Sequence, residues 1–588
     1  TGHDNNRDWY AFTQVETQIT VDKIHNVWHP QIVHDIHQQG EYGARLFLPP
    51  YMPPVEPNVP KQIVAGYTEL GNYMAREMRA ASFTGITTNS SYDAWTPARA
   101  YSHYHGGVRI LSETASCKIA TPITVKFAEL KKDEGYDPKK ESTTYGPLWH
   151  GGEWHLRDIT NYMTTAAFLL LRHASENRSE WLSRFYEIGK EAVRPRKRGE
   201  LWGFRIDSAS NWSSYYLEAI LKRGGVELTY TKRKPIVRNP NSPRLWAPQE
   251  AIMRVDQPYG DFAKALLEVQ RYPNLVNSSG QPIQPYDVTA HTLPLLMNVK
   301  VQPLFSSAKY DPVEVERTEL MWGKRRPLSK VAIYRSYVPA MDEGWIRWAI
   351  EHDANFLYEI VRGQDESENG KLTVNLWSLG DQEARGGNLR AKYDAITLPD
   401  QTPKDTLNGY SAGTMPPEYT GGLGQAGVKA LREFVEQGGT LVCLNRASSF
   451  AIEQFKLPVR DVVAKVSEKE FFVPGSILRI ELDTSNPIAR GMPKESIAWV
   501  EDSPVFEVVN AGSALPAANV HVIARYPADK NPLLSGWLLG EGRIRGKAAL
   551  VEVTMGKGRI ILFGFRPQYR GQSLATYPLF FNAILSGH

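Results

Sequence analysis

The sequence predicts a multi-domain α/β protein, and three observations carry that prediction. A chain of 588 residues has room for several domains of ordinary size, about three to five. Its 42% apolar and 22% charged content is that of packed globular protein rather than a disordered chain. In the C-terminal half, helical apolar spacing alternates with short apolar runs, the pattern of a mostly parallel sheet with helices on both faces.

The first block, residues 1–195, mixes the two kinds of element. Residues 30–37 read as a short strand. Residues 61–79 set Ile63, Tyr67, Leu70, Met74 and Met78 at helical spacing. Residues 108–112 form a strand running into Glu113. Residues 155–192 predict one or two long helices with Ile159, Tyr162, Met163, Ala166 and Leu170 facing inward. The basic run Arg194-Pro195-Arg196-Lys197-Arg198 then reads as a solvated linker.

The second block, residues 200–325, opens strand–helix–strand at 203–206, 213–222 and 226–230, with a further helix near 262–269. The third, residues 328–588, places strands at 330–334, 393–398 and 440–444. Its helices fall at 344–352 and 425–436, the latter capped by Gly438-Gly439. Residues 548–565 read as a hairpin around Gly556-Lys557-Gly558, at the edge or end of the sheet.

Composition removes several function classes. A net charge of +4 is close to balance and argues against a dedicated nucleic-acid binder. No run approaches the ~18 apolar residues of a spanning helix. The 2 cysteines, Cys117 and Cys443, exclude a disulfide framework and a Cys-rich zinc module. The chain opens Thr1-Gly2-His3, without a charged-then-apolar leader. Histidines are concentrated early, ten of the 14 before residue 196, which directs attention to the first block.

Three segments there could carry chemistry. Asn6-Arg7, read as the end of a strand, offers an amide and a planar guanidinium fork suited to a carboxylate, although a surface turn with an ion pair fits as well. In His34-Asp35-Ile36-His37, strand alternation sends residues 34 and 37 to opposite faces, so the segment supplies one metal ligand at most. Glu113, following an apolar strand, would have its pKa raised toward the range of a general base by partial burial.

In this order the segments resemble the zinc carboxypeptidases, the carboxypeptidase A-like metallopeptidases, over about a third of the chain. The resemblance implies a carboxylate clamp at Asn6 and Arg7, a zinc ligand at His37 and a base at Glu113, 76 residues further on. Tyr92 resembles the mobile tyrosine of the family, with Tyr101 and Tyr104 as rivals. It further implies a partial carboxypeptidase-like mixed sheet and Zn²⁺ as cofactor. The implied substrate is a peptide with a free C-terminal carboxylate, and the implied setting secreted or periplasmic. The family also uses a His-x-x-Glu pair and an arginine upstream of Asn-Arg, and only six residues precede Arg7. The expectation is therefore the C-terminal part of a catalytic domain that binds zinc weakly by itself. His150-Gly151-Gly152-Glu153 reads as a helix-entry loop.

The third block resembles a class I glutamine amidotransferase-like, flavodoxin-like domain. Cys443 lacks the flanking glycine of a nucleophile elbow, so the expectation is a non-catalytic domain with an inert strand cysteine. Gly422-Leu423-Gly424-Gln425-Ala426-Gly427 matches a dinucleotide fingerprint, but no strand enters it. The reading that results is a zinc metallocarboxypeptidase. Its alternatives are a non-catalytic peptide- or glycan-binding scaffold, a Cys443 amidohydrolase and a peptidoglycan-directed zinc amidase.

Overall fold

The first block is organised by one strand that is buried on both faces, and its neighbours follow from it. The computed structural model describes residues 4–90, 92, 94–207, 212–232, 249–277, 279–307, 324–352, 370–509, 516 and 519–585. Four strands form the first sheet: β1 (Ile32–Gln39), β2 (Leu46–Tyr51), β3 (Ile86–Ser90) and β4 (Val108–Ala115), in the order β1-β4-β2-β3. β4 is buried throughout, runs parallel to β1 and antiparallel to β2. It continues two residues beyond Glu113, so this acid lies inside the strand rather than at its end. β2 escapes sequence pattern because Pro49 and Pro50 interrupt it, although it is mostly buried.

The helix Lys61–Ala80 lays Ile63, Tyr67, Leu70, Met74 and Met78 against β2 and β4. Gly71 lets it approach closely, since a Cβ there would lie 2.2 Å from the Pro49 carbonyl oxygen. The long helical stretch is two helices, Leu156–Glu176 and Arg178–Ala192. The segment before them corrects the helix-entry reading. Gly151–Trp154 is a strand, β6, paired antiparallel with β5 (Ile123–Lys126). Positive φ at Gly151 and Gly152 lets this glycine pair enter a ladder that few other residues could follow.

The second sheet is antiparallel, in the order β10-β7-β9-β8: β7 (Gly203–Asp207), β8 (Thr229–Lys232), β9 (Gln249–Arg254) and β10 (Val301–Leu304). The third is larger. Its parallel part runs β12 (Gly370–Gly380), β11 (Lys324–Arg335), β13 (Ala395–Leu398), β14 (Thr440–Leu444), β22 (Gly558–Phe563). Antiparallel strands continue it through β21 (Ala548–Met555), β19 (Val520–Arg525), β16 (Pro474–Leu482) and β17 (Glu495–Glu501), with β15 (Val459–Asp461) and β18 (Phe506–Val508) joined at β21 and β20 (Leu533–Ser535) at β16.

Two expectations change here. The hairpin β21–β22 lies in the middle of the sheet, not at its edge, consistent with the unbroken apolar run Ile560-Ile561-Leu562-Phe563. The sheet is also only half parallel, because strand pairing alone extends it and no helical spacing marks that extension. The protein is thus mixed α/β with several sheets. One apolar core runs through all three blocks, from Tyr10 and Tyr101 through Phe262 and Leu293 to Phe581.

Candidate functional site

Parallel pairing of β1 and β4 brings two of the singled-out residues together: His37 is the register partner of Glu113. His37 Nδ1 lies 3.8 Å from Glu113 Oε1, and its Nε2 is 2.9 Å from Asp35 Oδ1. Asp35 in turn accepts from Arg109 Nε at 2.9 Å. Strand alternation explains the cluster, since residues 35 and 37 share one face of β1 and residues 109 and 113 share one face of β4. His34 turns to the opposite face and pairs with Ser112 Oγ at 2.8 Å.

The electrostatics follow from burial and these partners. Burial pushes the Glu113 carboxyl above its ordinary value, while His37, the Tyr92 hydroxyl and Arg109 pull against it. For Asp35, burial alone would act in the same direction, but the His37 hydrogen bond and the Arg109 charge outweigh it and hold the carboxyl well below its usual range. The contact with Asp35 holds the imidazole by one nitrogen and leaves the other facing Glu113.

Tyr92 is hydrogen-bonded to Glu113, and its ring lies between Phe47 and Tyr286 at centroid distances of 4.7 and 4.8 Å. Burial raises its hydroxyl pKa, so it stays a proton donor to the carboxylate. The rivals are engaged elsewhere: Tyr101 donates to Asn26 Oδ1 at 2.7 Å, and Tyr104 to Glu56 Oε2 at 3.1 Å.

Asn6 and Arg7 lie in the 3₁₀ turn Asn5–Arg7, not at the end of a strand as the sequence suggested. Asp4 caps this turn by accepting from the Asn6 N–H at 3.0 Å, which local sequence alone explains. Asn6 contributes its backbone: its carbonyl accepts from Arg7 Nη1 at 3.1 Å. Arg7 Nη2 then reaches Asp287 Oδ2, 2.7 Å away in the second block.

Two arginines that sequence reasoning missed also face this carboxylate. Arg99, buried in the turn Pro97–Arg99, has Nε 3.5 Å from Asp287 Oδ2, and its guanidinium lies 5.3 Å from the Tyr286 ring centre. Arg570, from the third block, adds its charge at Asp287 and lies 3.7 Å from Asp4 Oδ2. Arg570 has φ 44°, a left-handed conformation rare outside glycine. No local signal marks either residue, because the carboxylate they share is far away in sequence.

The donor set does not fit a three-ligand zinc site. Among the described residues no group of three or more His, Cys, Asp or Glu side chains could hold a metal ion. His37 is the one imidazole facing Glu113 in this cluster. His150 and Glu153 do not supply a replacement pair here: His150 packs beside Phe127, and Glu153 is exposed and 3.5 Å from His155.

In the third block Cys443 is fully buried within β14, and burial pushes its thiol far above the ordinary value. The strand-to-helix turn after β14 is occupied by Asn445, with φ 53°. A nucleophile elbow would present its nucleophile at such a turn, and an amide cannot serve. Around it, Asp400 is bound by Arg446 at 2.8 and 2.7 Å and by Arg566 at 2.7 Å. Arg566 also bonds Glu501 at 2.6 Å, closing a partly buried charge network beyond the carboxyl ends of β13, β14 and β22.

No protein-family model and no curated protein matches the chain. Among solved structures it is similar to a ThuA-like protein from Bacteroides uniformis, at 12% identity and TM-score 0.24, covering 46% of this chain and 94% of that one. It is similar to a GMP synthase subunit from Thermoplasma acidophilum at 11% identity and TM-score 0.24, covering 44% and 92%. A β-galactosidase from Bacillus circulans sp. alkalophilus matches at 14% identity and TM-score 0.23, covering 43% of this chain and 30% of its own. The likeness to amidotransferase-like domains thus concerns less than half of the chain, and at these scores it carries no functional argument.

Proposed function

We propose that the first block carries a carboxypeptidase-type site that recognises the C-terminal carboxylate of a peptide. The observation that supports this most is the convergence of Arg7 and Arg99 on one carboxylate, beside a tyrosine bonded to the buried Glu113. Paired guanidinium forks are the chemistry that selects a carboxylate over an amide. On this reading Glu113 accepts the proton of an attacking water and returns it to the leaving amine, Tyr92 holds the carboxylate by its hydroxyl, and Asn6 shapes the turn that aims Arg7. The proposed reaction is hydrolysis of a C-terminal peptide bond, and the secreted or periplasmic setting rests on family resemblance alone.

Zn²⁺ is the cofactor this chemistry calls for, and His37 is the ligand proposed for it. The described residues do not complete its coordination. That shortfall favours a second reading, a peptide-binding site without turnover.

Calorimetric titration with an N-acetylated dipeptide, as free acid and as amide, tests the shared part of both. Arg7→Ala should weaken free-acid binding by ~2 kcal/mol or more and leave the amide unchanged. Equal losses on both would refute the clamp. Turnover in the presence of zinc, removed by Glu113→Gln with binding retained, would favour the enzyme over the binding site.

A further inference from the structure

The carboxylate that Arg7 and Arg99 hold is the protein's own. We propose that Tyr286–Asp287 is an internal occupant of the carboxylate subsite, and that these two residues must swing out before a free-acid peptide can bind. The proposal rests on the reading of the subsite given above and adds what controls access to it.

Three observations carry it. The first is geometric: Asp287 Oδ2 sits 2.7 Å from Arg7 Nη2 and 3.5 Å from Arg99 Nε, a position that suits a ligand carboxylate. The second is the neighbour. The Tyr286 ring lies against Tyr92, which is bonded to Glu113, and under the Arg99 guanidinium. The pair therefore covers both the clamp and the approach to the acid. Burial would raise the Asp287 carboxyl, but Arg99, Arg7 and Arg570 together hold it below the ordinary range, so it is bound as an anion.

The third observation is where the pair sits in the chain. Tyr286 is 41% exposed, and it ends a surface excursion held by local backbone bonds and one exposed side-chain tether: Ile283 N–H donates to Leu275 O at 2.8 Å, Asn277 N–H to Gln281 O at 2.9 Å, and Gln284 Nε2 to Glu468 O at 3.3 Å. Immediately beyond, the chain is anchored. Val288 is buried, Thr289 O accepts from Trp95 Nε1 at 3.0 Å, and Thr289 N–H donates to Gly475 O at 3.0 Å. A segment with exposed local hydrogen bonds, ending against a fixed anchor, opens at lower cost than the sheets around it. Withdrawal would leave Arg7, Arg99 and Arg570 facing the same space, so the first and third blocks would both contribute to ligand binding.

The test uses the 588-residue chain and N-acetyl-phenylalanyl-tyrosine, as free acid and as amide. Asp287→Ala and the milder Tyr286→Ala should each tighten free-acid binding tenfold or more and leave the amide unchanged. Adding Arg7→Ala to Asp287→Ala should abolish the gain. Tyr286→Ala removes an exposed ring and leaves the ion pairs, so it keeps the test open if Asp287→Ala fails to fold. Free-acid binding of equal strength in the unmodified chain and in folded variants would overturn the internal occupant while leaving the clamp intact. No free-acid binding by any folded variant would overturn the clamp and the occupant together.

Discussion

His37 and Glu113 are register partners on parallel neighbouring strands, with Nδ1 3.8 Å from Oε1. Strands that meet in parallel are joined by a long crossover, which is how residues so distant in sequence come to share one face. The acid pays for its place with a raised pKa, and that has a measurable consequence. A carboxyl whose folded pKa lies above its unfolded value contributes stability that is present below the unfolded pKa and is lost as pH rises through the folded one. Glu113→Gln mimics the protonated form, so it should raise the melting temperature at pH 8 and leave it nearly unchanged at pH 4. Equal shifts at both pH values would show that the charge is not what burial penalises.

Glu56 offers a second pH probe away from the site. Burial pushes its carboxyl up to about 7, against hydrogen bonds from Asn58 and Tyr104. The sign is the same: stability should fall as pH rises from the unfolded value of 4.5 toward 7, with a slope of at most about 1.4 kcal/mol per pH unit. Denaturant midpoints across this window should flatten in Glu56→Gln, and an unchanged slope would assign the dependence to other groups.

Gly71 tests the packing that seats the sheet. A Cβ at this position would lie 2.2 Å from the Pro49 carbonyl oxygen, which is backbone and cannot step aside. Gly71→Ala should therefore cost about 1–3 kcal/mol, despite the better helix propensity of alanine. A rise in stability on chemical denaturation would show that helix and strand are less closely apposed.

Sequence pattern revealed the elements that obey a simple period and missed those that do not. The helix Gly424–Glu436 and strand β14 stand within one residue of their sequence-based bounds, because apolar spacing and the Gly438-Gly439 stop mark both ends. β2 was hidden by its prolines, and the antiparallel half of the third sheet by the absence of alternating helices. At the site, the strand residues His37 and Glu113 could be singled out by residue type. Arg99, Tyr286, Asp287 and Arg570 could not, since they meet only through packing between blocks and their local sequence reads as turns and loops.

Among the described residues β1 pairs with β4 alone, which leaves it at the edge of the sheet. An unpaired edge presents backbone donors and acceptors to any other strand, and charged side chains are the usual means of discouraging that pairing. β1 carries Ile36, which is 50% exposed, and the segment before it exposes Val27 at 60% and Trp28 at 75%. Ile36 lies on the face opposite His37, the face that holds His34, so a change there leaves the Asp35–His37–Glu113 cluster in place. Ile36→Lys should therefore reduce concentration-dependent light scattering while changing the melting temperature little, since the removed side chain is half in water. Lys429→Ala, which alters an exposed charge on the helix Gly424–Glu436, serves as the control for any general effect of substitution. Scattering that persists in Ile36→Lys would place the sticky surface outside this edge, and a large loss of stability would show that Ile36 is packed rather than exposed.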